Sequence, residues 1–267
     1  MSNWISKKIR EHKEDVEEMA YWMNEKYYET MIAIAQDLKN HDCTENIEQK
    51  VLMGVILTFK KINKYIWERK GIHLASALIP FSYLLLSQPQ FICLVGFLLC
   101  LTLIIEFLRF KNPMFKRLFF RFVGSLLWKE EGKKPTGATT LLIGALICAI
   151  FLSKQIVITV LLFLSFGDTF AYLVGHTIGK IRVCGEKTLE GALAFLGTGI
   201  VIIMWERLPS LDSLFSPHLS GEPVNLLIGL IGAVAGCIVE LLPWNVDDNL
   251  SIPIISGIVM QILLIIL

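Results

Sequence analysis

Charged side chains are scarce in this sequence: Asp, Glu, Lys and Arg make up 18% of its 267 residues, against roughly 25% in soluble domains. A formal net charge of +1 removes any chain-wide attraction to nucleic acid. Cysteine is sparse and scattered. Cys93, Cys100, Cys148 and Cys237 fall singly inside apolar runs, which indicates neither a disulfide framework nor a zinc site. The start, Met-Ser-Asn-Trp followed by about seventy largely polar residues, lacks the short apolar core of a signal peptide. No repeat or low-complexity tract is present.

What is abundant is apolar surface, at 54% of residues and a mean hydropathy of +0.59. Crossing a bilayer takes about 20 apolar residues, because backbone polar groups in hydrocarbon must be satisfied within the helix itself. Stretches near that length run from Ile72 to Ser87, Phe91 to Leu108, Ala138 to Leu152, Ile156 to Val174, Gly191 to Trp205, Val224 to Leu242 and Leu250 to Leu267. The expected fold is therefore an all-α polytopic integral membrane protein with about seven transmembrane helices.

Orientation follows from Lys and Arg in the connections, which accumulate on the cytoplasmic side. Twelve precede the first stretch, eight lie between the second and third, three follow the fourth, and only Lys154 and Arg207 fall on the other side. This bias places the N-terminus and the three basic connections in the cytoplasm. Within the N-terminal extension, residues 1–68, Asp42 and Glu45 have the spacing of a capping box. Ile47, Val51, Val55, Phe59, Ile62 and Ile66 recur at three or four residues. An amphipathic helix is expected there and an earlier one from Lys13 to Leu38, a pair suited to the membrane surface, to covering the rest, or to self-association.

Polar residues that interrupt the apolar pattern gather on the cytoplasmic side. Asp168 lies in a strongly apolar context, where a charge costs about 2.5–3.5 kcal/mol on insertion scales and calls for a polar cavity or partner. Around it, Gly167, Thr169, Gly175, His176, Gly179 and Lys180 form a glycine-rich segment open to close packing or to a phosphate. Lys187, Thr188 and Glu190 follow; a lysine neutralises phosphate as a point cation, and Glu190 also suits a helix N-terminus. Glu240, Asp247, Asp248 and Asn249 supply the oxygen ligands that magnesium prefers. Arg69, Lys70 and His73 precede the first stretch, Glu106 and Arg109 close the second at ion-pair spacing, and Lys134 and Thr136 lead into the third.

The segment GDTFAYLVGHTIGK with KTLEGALAF resembles the family of CTP-dependent lipid kinases that includes dolichol kinase, yeast-type diacylglycerol kinase and phytol kinase. The resemblance extends to RKGIH at Arg69, GKKPTGATT at Gly132 and ELLPWNVDDNLSIP at Glu240. It covers about Arg69 to Leu267, making 69–267 the expected transmembrane lipid kinase domain. It implies transfer of the terminal phosphate of CTP to the hydroxyl of a membrane lipid, with Mg2+ or another divalent cation. Asp168, Lys187, Asp247 and Asp248 are the implied catalytic set, with Asp168, Asp247, Asp248, Asn249 and Glu240 toward metal. Gly167, Thr169, Gly175, His176, Gly179, Lys180, Lys187, Thr188, Glu190, Arg69, Lys70, His73, Lys134 and Thr136 are the nucleotide-binding candidates. The intact KTLEG run is closer to the polyprenol or dolichol branch, whereas the chain length and polar extension are closer to the diacylglycerol branch.

Two other readings compete. A CDP-diacylglycerol synthase also uses CTP, but its His-Gly-Gly-x-x-Asp-Arg-x-Asp run is absent. A transporter would place polar groups on both sides of a midplane site, whereas here they lie on one.

Overall fold

The computed structural model describes residues 70–123, 134–185, 187–207, 224–243 and 246–267, the side chains of 120–123 excepted. All belong to the unit Glu68–Leu267. The helices expected within 1–68 lie outside these residues, as does Arg69.

The first apolar stretch is interrupted. Residues 70–75 are helical, a turn follows at Ser76 and Ala77, and α1 runs Leu78–Leu85. The reason is local. Pro80 has no N–H to give the Ser76 carbonyl, which accepts instead from Ile79 N at 3.0 Å. The Ser76 hydroxyl turns back onto His73 O at 2.5 Å.

The α2 helix spans Gln88–Lys111. It starts at Ser87, whose N–H and hydroxyl both donate to Gln90 Oε1 at 2.9 Å, and it ends with Arg109 and Lys111 in the last turn, where cations suit the helix dipole. Asn112 stops α2 and caps α3, Pro113–Val123, its Oδ1 accepting from Met114 N and Phe115 N at 2.9 and 3.2 Å. Next come α4, Gly137–Phe151, and α5, Lys154–Leu162. A π-helical turn at Phe163–Gly167 then leads directly into α6, Asp168–Ile178.

A small antiparallel hairpin follows, β1 Arg182–Cys184 against β2 Lys187–Thr188, with Arg182 opposite Thr188 and Cys184 opposite Lys187. Gly185 has φ +57°, a left-handed conformation that glycine takes without a Cβ clash. The remaining helices are α7, Leu189–Trp205, α8, Leu226–Leu241, and α9, Asp248–Ile266. Each begins on a side-chain cap, from Thr188, Asn225 and Asp247 respectively.

Among the described residues three helices are long and apolar enough to cross a bilayer: Gln88–Lys111, Lys154–Ile178 and Asp248–Ile266. The helices α4, α7 and α8 are apolar but shorter, at 15, 17 and 16 residues. The chain is thus mainly helical and membrane-associated. The continuous helix Lys154–Ile178 forms its centre, with 78% of its most apolar window buried against 17% for α2. Around it α6 packs on α7, α7 on α8, α8 on α9, α9 on α4, and α4 on α2.

From the second stretch to the seventh, the observed helices match the expected apolar runs to within four residues at either end. The amphipathic α3, the π turn and the hairpin are additions, and the hairpin departs from an all-helical reading.

Candidate active site

The π turn sets the position of Asp168. Widening one turn at Phe163–Gly167 shifts the face that the following residues present, and such turns recur at functional sites. The Asp168 residue is 8% exposed, on the first turn of α6. Its Oδ2 meets Lys70 Nζ at 2.8 Å and His73 Nε2 at 3.1 Å, both from the helical residues that precede α1. Among the described residues both groups converge on that one oxygen. Beside them, Ser76 Oγ and Ser165 Oγ share a hydrogen bond of 2.9 Å, and the Lys70 ammonium stands 4.6 Å from the Tyr172 ring centroid. A polar seam thus joins residues 70–76 to one face of the central helix.

Lys187 builds the second cluster from the hairpin. Its ammonium donates to Glu240 Oε1 at 2.8 Å, near the end of α8, and to Asp248 Oδ2 at 3.1 Å, at the start of α9. Partial burial disfavours the lysine charge, but the Glu240 and Asp248 carboxylates outweigh it and raise its pKa above the ordinary lysine value. Asp168 lies within electrostatic range of this group and acts on Lys187, Glu240 and Asp248 alike. The two clusters therefore form one field of alternating charge.

A third group fixes the entry to α4. Arg109 is fully buried and pairs with Glu106, and its guanidinium also donates to Lys134 O at 2.7 Å. Glu106 Oε1 accepts from Thr136 N at 2.8 Å. The expected Glu106–Arg109 pair exists, and its work is to hold the residues ahead of α4. Thr140 Oγ1, one turn into α4, donates to Asp247 Oδ2 at 2.9 Å.

The other candidates fall around these clusters. Gly175 and Gly179 both face the Thr188 side chain, and Gly167 faces the Phe195 ring, so each glycine permits a close helix contact. Thr169 donates to Ser165 O at 2.7 Å, His176 stands edge-on to Tyr172 with centroids 5.4 Å apart, and Lys180 is exposed. Thr188 caps α7 by accepting from Gly191 N at 3.2 Å, while Glu190 accepts from Ile181 N at 3.3 Å. Asp247 and Asn249 tie the start of α9 to α4: Asp247 Oδ1 accepts from Asn249 N at 2.9 Å, Asp247 Oδ2 from Thr140, and Asn249 Nδ2 donates to Gly137 O at 3.3 Å.

For a divalent cation the fit is partial but chemically sound. Glu240 and Asp248 already share one cationic group, the Lys187 ammonium, so two hard oxygen donors converge on one position. No group of three His, Cys, Asp or Glu side chains gathers among the described residues. Two carboxylates suffice for magnesium, which commonly completes its shell with waters and phosphate oxygens.

Ser76, Ser165 and Tyr172 were not singled out from the sequence. Part of the signal is spacing: Tyr172 lies four residues after Asp168 on α6, so the two share a helix face.

Three curated proteins are similar to this chain. The CTP-dependent diacylglycerol kinase 1 of Schizosaccharomyces pombe is 30% identical over 165 residues, covering 60% of this chain and 74% of that protein. The Saccharomyces cerevisiae protein of that name is 28% identical over 170 residues, 59% of each chain. The one from Eremothecium gossypii is 28% identical over 175 residues, 60% of this chain and 54% of that protein. The match therefore spans under two thirds of the length of these last two relatives. No family model and no solved structure matches. The chain belongs to the CTP-dependent lipid kinase family.

Proposed function

We propose that this chain transfers the γ-phosphate of CTP to the hydroxyl of a membrane lipid alcohol, with diacylglycerol as the acceptor. The observation that carries the reading is the Asp168 carboxylate on a buried membrane helix, held through one oxygen by Lys70 and His73 beside the Lys187, Glu240 and Asp248 cluster. The names of the three relatives support the donor and this acceptor.

Phosphoryl transfer asks mainly for positioning and for neutralisation of charge. Lys70 and His73 fix the Asp168 rotamer, and both meet Oδ2. Oδ1 is then the atom that accepts the alcohol proton as the lipid oxygen attacks the γ-phosphorus. The bond between that phosphorus and the bridging oxygen breaks, and CDP leaves with the electron pair. Lys187, on a hairpin beside the carboxylates, is placed to turn onto phosphate oxygens. Glu240 and Asp248 would hold a divalent cation, which would supply charge neutralisation for the triphosphate. Lys134 and Thr136, held by Arg109 and Glu106, line the same end of the bundle.

In this reading residues 69–267 cross the membrane seven times, with the interrupted stretch 70–85 and the shorter helices α4, α7 and α8 completing spans. The N-terminus and the site face the cytoplasm, where CTP enters, while the lipid approaches laterally from the bilayer. The excess of Lys and Arg in the site-side connections supports this orientation.

The test is to incubate the purified chain with CTP labelled on the γ-phosphate, magnesium, and separate vesicles containing diacylglycerol, a polyprenol or phytol. Label in phosphatidate alone is the expected result. Label in a polyprenyl phosphate would move the acceptor to the polyprenol branch, and no labelled lipid in any vesicle would refute the kinase reading.

A further inference from the structure

The surface at the end of α2 has a one-sided charge. From Phe107 through Lys129 the sequence contains no Asp or Glu, yet it holds Arg109, Lys111, Lys116, Arg117, Arg121 and Lys129. Arg109 is used internally, paired with Glu106 and Lys134 O. Of the others, Lys111, Lys116, Arg117 and Arg121 lie on or next to α3, which starts where the span-length helix α2 runs out of apolar residues.

The side chains of α3 form three groups. Phe115 and Phe119 are half-buried, with the Phe119 ring centroid 5.3 Å from the Arg109 guanidinium carbon, so this face packs on the end of α2. Met114 and Leu118, one helical turn apart, are 77% and 51% exposed. Lys116 and Arg117 are exposed beside that apolar pair on the same helix, and Lys111 is exposed at the junction, its ammonium 4.8 Å from the Phe107 ring centroid. Arg109 also ties the chain here to Lys134, so α3 stands at the site end of the bundle.

We infer that α3 is a membrane-surface helix whose partner is an anionic phospholipid surface, with Met114 and Leu118 in the acyl boundary and Lys111, Lys116 and Arg117 on headgroup phosphates. Charge complementarity selects this occupant. An unbroken set of cations next to an exposed apolar pair matches the composition of helices that lie in a bilayer interface, and basic residues at a membrane edge are drawn to anionic lipid. Continuity with α2 sets the depth, because Asn112 leaves no spacer between the span and the surface helix. The inference rests on the membrane crossing of α2 and is independent of the reaction catalysed.

The full-length chain in detergent is titrated with dioleoyl phosphatidylglycerol or dioleoyl phosphatidylcholine, and retained lipid is counted by native mass spectrometry. The expected result is about fivefold tighter retention of the anionic lipid at about 50 mM salt, with the preference falling toward one at about 500 mM as the charges are screened. The double variant Lys116→Gln, Arg117→Gln is expected to lose most of the preference while its circular dichroism is unchanged. Equal retention of the two lipids by the wild type, a preference insensitive to salt, or an undiminished preference in the folded double variant would overturn the inference. The wild-type salt series decides the matter even if the double variant does not fold.

Discussion

Lys70 and Asp168, 98 residues apart in the chain, meet at 2.8 Å, so the residues before α1 and the start of α6 are joined by an ion pair at the bundle's site end. The pair is almost enclosed, with side chains 14% and 11% exposed. A carboxylate so placed needs its partners, because an isolated ion in this setting costs several kcal/mol. The same partners that make Asp168 tolerable also aim it.

Lys187 is expected to act on nucleotide rather than on lipid. Replacing it with alanine should raise the apparent KM for CTP by about tenfold or more, as loss of a charge-assisted phosphate contact implies, while the KM for the lipid stays within about twofold. The measurement is initial rate against CTP at saturating lipid. Its folded pKa is raised above 10.5, so its ion pairs contribute stability that is complete at lower pH and is lost only as pH rises through the raised value. The loss in Tm on Lys187→Ala should therefore be the same at pH 7 as at pH 9; a loss that disappears by pH 9 would contradict the pairing.

Arg109 and Glu106 should behave as a structural unit. Either Arg109→Met or Glu106→Gln leaves one buried group without its partner, at a cost of about 3–5 kcal/mol for a broken buried pair. The double substitution should cost less than the two single ones together. Thermal melts of the three variants in one detergent decide this, and simple additivity would show that the two residues do not act through each other.

At Gly175 an added Cβ would stand 2.8 Å from Thr188 Oγ1 and 3.5 Å from Gly191 Cα. The Thr188 hydroxyl cannot retreat freely, since it caps α7 at Gly191 N. Gly175→Ala should lower Tm by about 2–10 °C, the range for overpacking by one methyl. Gly197, also helical, has nothing within 4 Å of an added Cβ, and Gly197→Ala should be neutral or stabilising. Equal effects at the two glycines would rule out close packing of α6 on α7 as the cause.

Glu206, just past α7 at the other end of the bundle, gives a pH dependence of opposite sign. Burial pushes its carboxyl up to about 7, against the opposing hydrogen bond from Thr159. Thr159 Oγ1 lies 2.9 Å from Gln155 O and 2.8 and 3.0 Å from the two Glu206 oxygens, and its single proton serves one acceptor at a time. A protonated Glu206 supplies the second proton. Because the folded state holds that proton more tightly, its contribution is complete below pH 4.5 and declines as pH rises toward 7. Tm should fall between pH 5 and pH 8 in the wild type and flatten in Glu206→Gln; an unchanged slope in the variant would exclude Glu206 as the titrating group.

The apolar runs were legible because hydropathy is local: α2, the helix Lys154–Ile178 and α9 can be read from composition over about 20 residues. The break near Pro80 was overlooked because hydropathy weights proline lightly, although its missing N–H acts on Ser76 four residues earlier. The α3 helix was hidden by treating its cations only as topology signals, yet Phe115, Leu118, Phe119 and Phe122 already have helical spacing. For the site, Asp168 stood out as a charge in apolar context, and Lys70, His73, Lys187, Glu240 and Asp248 as polar groups at the cytoplasmic ends of the apolar runs. Their pairing did not, since Lys187 and Glu240 are 53 residues apart and only packing brings them together. Nor did the sequence separate Asp248, which meets Lys187, from Asp247, which caps α9 and meets Thr140.

The most direct test of the account compares wild type and Asp168→Asn, both purified and reconstituted in bilayers containing diacylglycerol, using CTP labelled on the γ-phosphate. The account predicts labelled phosphatidate and unlabelled CDP from the wild type, with turnover reduced by about a thousandfold or more in a variant that still inserts and folds. Normal turnover by Asp168→Asn, or label leaving as pyrophosphate instead of entering lipid, would contradict it.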